Sequence, residues 1–442
     1  MSKRKILSVF LLFISTLTAC TTSNEPPHVS DSVSATPSYT APPANNNDTL
    51  DAPFLKDEPY MITAQQGIVM TVGGETGDGC YSLDTYPDGT ADIIYFDYSS
   101  EMCIRLSSDP NLGHDLSSTA YIPSFKGGSR CLVSGENLYV LKNGQPYTDP
   151  HVEGNDPTAR LYCLNLDGSD RKTLEYGTNI VFQWDGGVAG DKNGNLYTVL
   201  LVVDSDSAKI TSVLAKLGRD IEGYEALYSW EEPLSVKLVG VCDDGFVIQS
   251  QDTSSPSAPT KLILIRDQDE EQPLLDCSDL EVTSYTIYNN ILYYTKNSDP
   301  NIYAQNLLDS STSITYTPFY YQNLSPDLAM IQCEVRDNHL IIQYAYSEEQ
   351  NSLFAALDLS SEEFTPLELY YGDEDNRTLV GIYAEGENDF LVCVGKFTRV
   401  RTDYGTDGTP FSFEQGFQDY VLISKSDYWN NIPNYRRFQY YD

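Results

Sequence analysis

A polar turn followed by a run of strand-forming apolar residues returns along this chain at nearly constant spacing. It reads GENLYVL at 135–141, NGNLYTV at 193–199, DDGFVIQ at 243–249, NNILYYT at 289–295, DNHLIIQ at 337–343 and ENDFLVC at 387–393. Taking Leu138, Leu196, Phe246, Leu292, Leu340 and Phe390 as equivalent, the gaps are 58, 50, 46, 48 and 50 residues. Each phrase is followed by a second strand ending in a polar turn, best preserved as ARLYCLNLDGSD at 159–170. An earlier, looser copy has GIVM at 67–70 and DIIYFDY at 92–98, separated by a Gly-rich insertion, which brings the count to seven units. Repeats of roughly 40 to 50 residues built from short strands are the period of a four-stranded propeller blade. One such blade cannot bury both of its faces, so radial stacking is the economical way to make a core. The expectation is an all-β chain: a β-propeller of about seven four-stranded blades over residues 53–442. A pair of β-sandwich domains is the rival, and it does not require so regular a gap.

The first nineteen residues have a different character. Lys3, Arg4 and Lys5 precede an apolar run from residue 6 to 17 that is too short to span a bilayer, and Leu17-Thr18-Ala19-Cys20 follows. This resembles the bacterial lipoprotein signal. The resemblance implies cleavage before Cys20, lipidation of its sulfur with acyl chains such as palmitate, and residence on the extracytoplasmic face of the cell membrane. More than one acyl chain gives durable anchoring. Residues 20–52, rich in Ser, Thr, Pro and Asn, bury too little apolar surface to offset ordering and read as a flexible tether.

Charge narrows the partners. The chain has 64 Asp and Glu against 27 Lys and Arg, and loss of the leader leaves 24 basic residues with no acid removed. Such a field repels phosphate backbones, so nucleic acid is excluded as a partner. The remaining cysteines, at 80, 103, 131, 163, 242, 277, 333 and 393, contain no C-x-x-C pair, which excludes a zinc ribbon or a thioredoxin-like motif. Cys163, Cys333 and Cys393 lie in strand-like runs and are expected to act as small core hydrophobes.

Tyr95-Phe96-Asp97-Tyr98, then Leu106, Pro110, His114 and Asp115, then the LYCLNLDGS strand and turn follow a phrase order similar to that of propeller lipoproteins of clostridia and related gut bacteria. Two positions that hold cysteine in that group hold Ser107 and Leu112 here, and a third cysteine after the histidine has no counterpart. The resemblance covers the lipid signal and the first two blades, implies a surface lipoprotein, and supplies no catalytic residues.

Several local patterns invite a functional reading. Asp167-Gly168-Ser169-Asp170 and Asp191-Lys192-Asn193-Gly194-Asn195 hold spaced oxygen ligands, but Val202 stands where an EF-hand has its glutamate. Both are read as hairpin turns with two central residues at φ > 0. The glycine-rich stretch 73–79 has no Lys-Ser/Thr pair and no helix pattern behind it, so it is no phosphate cradle and reads as a mobile loop. No HExxH or G-x-S-x-G motif occurs, and no cofactor or metal signature is found. His114 with its neighbour Asp115 is the best hydrogen-bonded imidazole candidate. Acidic clusters at 267–271, 373–375 and 385–389 read as solvated turns. Among the 33 tyrosines, Tyr293, Tyr294, Tyr320 and Tyr321 are candidate stacking platforms for sugars, against strand packing as the plainer role.

The leading expectation is a lipid-anchored, non-catalytic propeller that binds a glycan or an envelope or surface protein. The alternatives are a polysaccharide hydrolase or lyase that uses channel carboxylates, and an envelope assembly or sensory scaffold. Function is expected where the repeat is broken: between residues 67 and 92, around His114, and in an extended loop at 398–418.

Overall fold

A computed structural model describes residues 58–440 apart from 64–72, 87, 108–113, 125–128, 146–155, 184–185, 205, 208, 232, 256–257, 268–269, 278–281, 298, 300, 310–312, 318–327, 347–351, 374–376 and 405–408. At 267, 270, 283, 313, 328–333, 345–346, 352, 401 and 403–404 it describes the backbone alone. No helix among the described residues is long and apolar enough to cross a membrane.

The chain folds into a seven-bladed β-propeller. Blade two is the antiparallel series Ser129–Ser134, Asn137–Lys142, Ala159–Asn165 and Lys172–Gly177, and blades four, five and six repeat this order from Leu234, Val282 and Leu328. All six marker residues of the repeat lie at the start of a blade's second strand, and all six are fully buried. Alternation along the strands explains why these runs are apolar on every position. In blade two, Leu138, Val140 and Leu164 enter the core shared with blade one, whereas Tyr139, Leu141, Leu161 and Cys163 enter the core shared with blade three. A strand with both faces covered loses the polar half of its pattern. Each fully buried Leu in such a layer contributes about 1.5–3 kcal/mol of hydrophobic stabilisation.

Blade one differs from the sequence reading. Its second strand is Gly79–Thr85, with Cys80 fully buried in the marker position, and the strand Ala91–Asp97 comes third. The described part of the glycine-rich stretch is ordered rather than a mobile loop. Glu75 bridges to Cys80, Tyr81 N–H donates to the Gly74 carbonyl (2.8 Å), and Val133 N–H donates to that of Gly73 (2.8 Å). The earlier strand expected at 67–70 lies outside the described residues. Met102–Arg105 forms the next row, which Tyr121–Ile122 continues after an insertion, and Gln439–Tyr440 from the carboxyl end closes the blade as a parallel outer strand.

The first-to-second-strand turns share one face of the disc, here called the lower face. Neighbouring turns are joined there: Asp243 N–H to Asn290 Oδ1 (2.7 Å), Asp337 N–H to Glu385 Oε2 (3.2 Å), and Glu387 N–H to the Gly77 carbonyl (2.8 Å). Asn289-Asn290 and Asp337-Asn338 have both central residues at positive φ, the two-residue turn that matches strand twist. In the stretch 167–170 Gly168 and Asp170 have positive φ with Ser169 between them, and at 191–195 only Gly194 does, so neither is the expected turn with two adjacent central residues at positive φ.

An additional strand, Tyr60–Thr63, lies inside the ring. It pairs antiparallel with Val188–Gly190, the inner strand of blade three, on the channel side. Glycines leave room for it. A Cβ at Gly190 would meet Ile62 Cδ1 at 2.6 Å and Ser134 Oγ at 2.5 Å, and one at Gly187 would meet Met61 Cε at 2.6 Å. The strand runs from the lower face, where Glu58 pairs with Lys192 (2.9 Å), toward the upper face at Thr63.

Closure between blades six, seven and one is electrostatic as well as apolar. Arg336, on the inner strand of blade six, reaches Glu75 of blade one (3.1 Å), and Glu334 lies on the same side of that strand. Lys425 of the short helix Lys425–Trp429 joins Asp337 (3.2 Å) to Glu385 (2.8 Å). Burial pushes Glu334 up to about 7, against the attraction of Arg336, and burial raises Glu75 in the same direction.

Two predictions follow from this core. Glu334 favours its protonated form in the folded state, so its contribution to stability is complete below its unfolded value of about 4.5 and is lost as pH rises through about 7. A shift of this size is worth about 3 kcal/mol. Chemical denaturation at pH 4.5 and pH 8 should therefore show Glu334→Gln gaining on the parent as pH rises; a pH-independent difference refutes the assignment. Separately, Gly190→Ala should destabilise by about 1–3 kcal/mol through overpacking. Combination with Ile62→Ala should cost less than the sum of the two single changes, as measured in the same denaturation experiment.

Candidate functional site

The upper face carries the departures from the repeat. The segment expected as an extended loop at 398–418 is instead a long hairpin, because Asp389–Tyr404 and Pro410–Ser424 stay paired well beyond blade seven. Alternation places Phe397, Arg399, Gln415 and Phe417 on one face of it, with Phe397 stacked on Phe417 at 5.6 Å between centroids. That face turns toward blade one. Between the two blades lies a cleft of about 220 Å³, walled by Phe96, Phe417, Tyr420 and Tyr440. The Arg399 guanidinium lies 4.3 Å over the Tyr440 ring.

Polar groups converge in this cleft. Ser82 Oγ and the Tyr383 hydroxyl are 2.9 Å apart, and Gln415 Nε2 donates to the Thr85 carbonyl. Gln415 Oε1 and the Tyr440 hydroxyl are buried without a hydrogen-bond partner among the described residues. Burial raises the Tyr383, Tyr420 and Tyr440 phenols, which therefore stay neutral donors. The Cys103 thiol beneath them is pushed up to about 12 by burial and is no nucleophile. Aromatic walls with a few directed donors and acceptors can hold an amphipathic ligand by stacking and hydrogen bonding.

His114 lies in the insertion of blade one, but Asp115 is not its partner. Nδ1 of His114 is 3.0 Å from Asp92 Oδ2, and Nε2 is 2.7 Å from Thr90 Oγ1. The ring lies against Tyr86, with centroids 3.9 Å apart. Asp92 is fully buried and also accepts from the Tyr86 hydroxyl (3.1 Å). Asp115 is exposed and accepts instead from the Ser117 backbone N–H (2.7 Å), closing a local turn. The imidazole thus fastens the insertion onto the strand Ala91–Asp97.

Tyr293 and Tyr294 do not form a platform; they take the plainer role of strand packing. Tyr293 is 3% exposed in the core between blades five and six, and Tyr294 is 7% exposed in the core between blades four and five. Successive residues of one strand face opposite layers, so the two rings cannot share a surface. Tyr320 and Tyr321 lie outside the described residues, as does Cys20. The Asp191 carboxylate is consumed by its own turn: Oδ1 accepts from Asn193 N–H (2.9 Å) and Asn195 N–H (2.8 Å), and Oδ2 from the Tyr197 hydroxyl (2.8 Å). Nor are the acidic clusters at 267–271 and 385–389 simply solvated. Glu271 accepts from Trp230 Nε1 (2.7 Å), and Asp389 pairs with Arg436 (2.7 Å). Of the strand cysteines, Cys163 is a core residue, Cys393 is partly exposed with Sγ 3.3 Å from Gln418 Oε1, and the side chain of Cys333 lies outside the described residues.

The signal that sequence reading missed is the alternation FxRxR followed by FxFxxGF across residues 397–417, which marks one aromatic and basic face of a hairpin.

No family model matches the chain. No curated protein matches it. Among solved structures it is similar to a puromycin hydrolase at 9% identity and TM-score 0.45, over 81% of this chain and 59% of that one. It is similar to a prolyl endopeptidase at 11% identity and TM-score 0.46, over 83% and 55%. It is also similar to the β-propeller domain of the Trilobed protease from Pyrococcus furiosus, at 11% identity and TM-score 0.40, over 79% and 97%. The chain thus spans little more than half the length of the first two proteins. At these identities the likeness concerns the fold alone.

Proposed function

We propose that this propeller is a non-catalytic binding module that takes a glycan in the cleft between blades seven and one. The observation that carries the reading is the pairing of aromatic walls with unspent polar atoms at Gln415 and Tyr440 in one concave site. Aromatic rings cover the apolar faces of a sugar, while directed donors and acceptors meet its hydroxyls. The cleft has no pair of carboxylates placed to act as acid and base among its described lining residues, which favours binding over hydrolysis.

Residue 58 meets the disc at its lower face, the end opposite the hairpin and cleft. Val400 and Phe411, 69% and 49% exposed on the hairpin, favour a protein surface as a second reading.

The test is calorimetric titration with neutral hexasaccharides, cellohexaose and mannohexaose among them. At least one should bind, and Phe417→Ala and Arg399→Ala should each weaken it about fivefold or more without changing the melting temperature of the disc. Absence of binding to a broad glycan array by the folded protein refutes the glycan reading. Retained capture of an envelope protein, lost in Val400→Asp, would then support the second one.

A further inference from the structure

A second cavity, of about 540 Å³, opens between blades one and two on the upper face. It falls within the size range of small-molecule sites. Its two walls differ in kind. Blade one offers Leu116 and Pro123 from its insertion, and Leu116 is 81% exposed. Blade two offers the paired strands Ala159–Asn165 and Lys172–Gly177, which present Arg160 opposite Glu175, and Tyr162 opposite Thr173. Arg171 extends this polar wall.

The charges around the cavity cancel. Arg160, Arg171 and the buried Lys142 behind them stand against Asp88, Asp156 and Glu175. Each is engaged. Arg160 pairs with Asp156 and Glu175, and Lys142 with Asp156 (3.2 Å). The Arg171 guanidinium lies 4.7 Å over the Tyr162 ring and donates to the carbonyls of Thr119 and Tyr121. Asp88 accepts from the Thr90 backbone N–H (2.9 Å) and hydroxyl (2.6 Å). An ionic ligand therefore finds no opposite charge left over. What is left over is neutral. The Tyr162 hydroxyl has no partner among the described residues, although Tyr162 is 2% exposed, and Ser124 Oγ is buried in the same condition. Burial raises the Tyr162 phenol, which stays protonated and free to donate. A buried hydroxyl without a partner costs stability, and native proteins keep few of them.

A pyranose ring has an apolar C–H face and a rim of hydroxyls that both donate and accept. Leu116 and Pro123 match the face, and the unspent hydroxyls of Tyr162 and Ser124 match the rim. Paired carboxylates and guanidinium groups also keep spare lone pairs and N–H groups, which a hydroxyl can use without breaking the pair. We infer that the cavity between blades one and two is a second site for a neutral sugar, so that the upper face holds a neutral polysaccharide at two points, one on each flank of blade one. This rests on the glycan reading for its chemical class but on none of the residues of the cleft. Two sites on one disc raise the avidity for a polymer that reaches both, with no new contact.

The experiment titrates the full chain with cellotriose and mannotriose, and with a galacturonate trisaccharide as the acidic control. At least one neutral sugar should occupy two sites per chain. Tyr162→Phe, which removes only the hydroxyl, should weaken one of them about fivefold or more. Phe417→Ala should weaken the other. The melting temperature of free Tyr162→Phe should be unchanged or higher, since an unpaired hydroxyl has been removed; a fall would show the hydroxyl to be used within the fold and overturns the inference. So does tighter binding of the galacturonate at the site that Tyr162→Phe affects, because the charge balance favours a neutral ligand. A single site, lost in Phe417→Ala and untouched by Tyr162→Phe, sinks this inference alone. A single site weakened by Tyr162→Phe and indifferent to Phe417→Ala sinks the cleft reading alone, and no binding of any of the three sugars sinks this inference outright.

Discussion

Everything in this molecule depends on burying both faces of a thin sheet. A single four-stranded blade has two apolar faces and no core of its own, and the ring supplies a partner for each. Leu138 and Tyr139 are neighbours in sequence, yet one packs toward blade one and the other toward blade three. The same division recurs at Phe390 and Leu391, which belong to the core with blade six and the core with blade one. Register is therefore pinned at every blade, since a slip of one residue would exchange the contents of two cores.

Closure is the weak point of any ring, and here three devices meet at it. The outer strand Gln439–Tyr440 runs from the seventh blade to pair with the first. The helix Lys425–Trp429 places Lys425 and Trp429 on Asp337. The Arg336 to Glu75 pair crosses from the sixth blade to the first. Buried ion pairs are poor sources of net stability but effective in specifying one arrangement, and a ring with a defined blade count is where specification matters. The inner strand Tyr60–Thr63 pairs with the innermost strand of blade three. Both candidate cavities flank blade one, the blade with a borrowed outer strand.

How far the sequence could be read follows from the range of each signal. Turn-and-strand phrases are local, so Leu196, Phe246, Leu292 and Leu340 could be aligned by eye, and all proved to be core residues of second strands. Blade one was shifted because its marker is Cys80 in a glycine-rich setting, where the apolar run is short. Partners distant in sequence were beyond reach. Adjacency in sequence points His114 to Asp115, but the insertion folds back onto Ala91–Asp97 and delivers it to Asp92. Tyr293 and Tyr294 are adjacent in sequence, but strand alternation sends them into two different cores, the strand-packing role.

By itself the sequence determined the fold class, the repeat and the positions of its core, because these rest on period and on turn chemistry that act over a few residues. Only the tertiary structure decided where chemistry can occur. The cleft is assembled from Ser82, Tyr383, Gln415 and Tyr440, and the second cavity from Asp88, Ser124 and Arg171, residues brought together by the closing of the ring. Their proximity is a property of how adjacent blades fit, which no local pattern encodes.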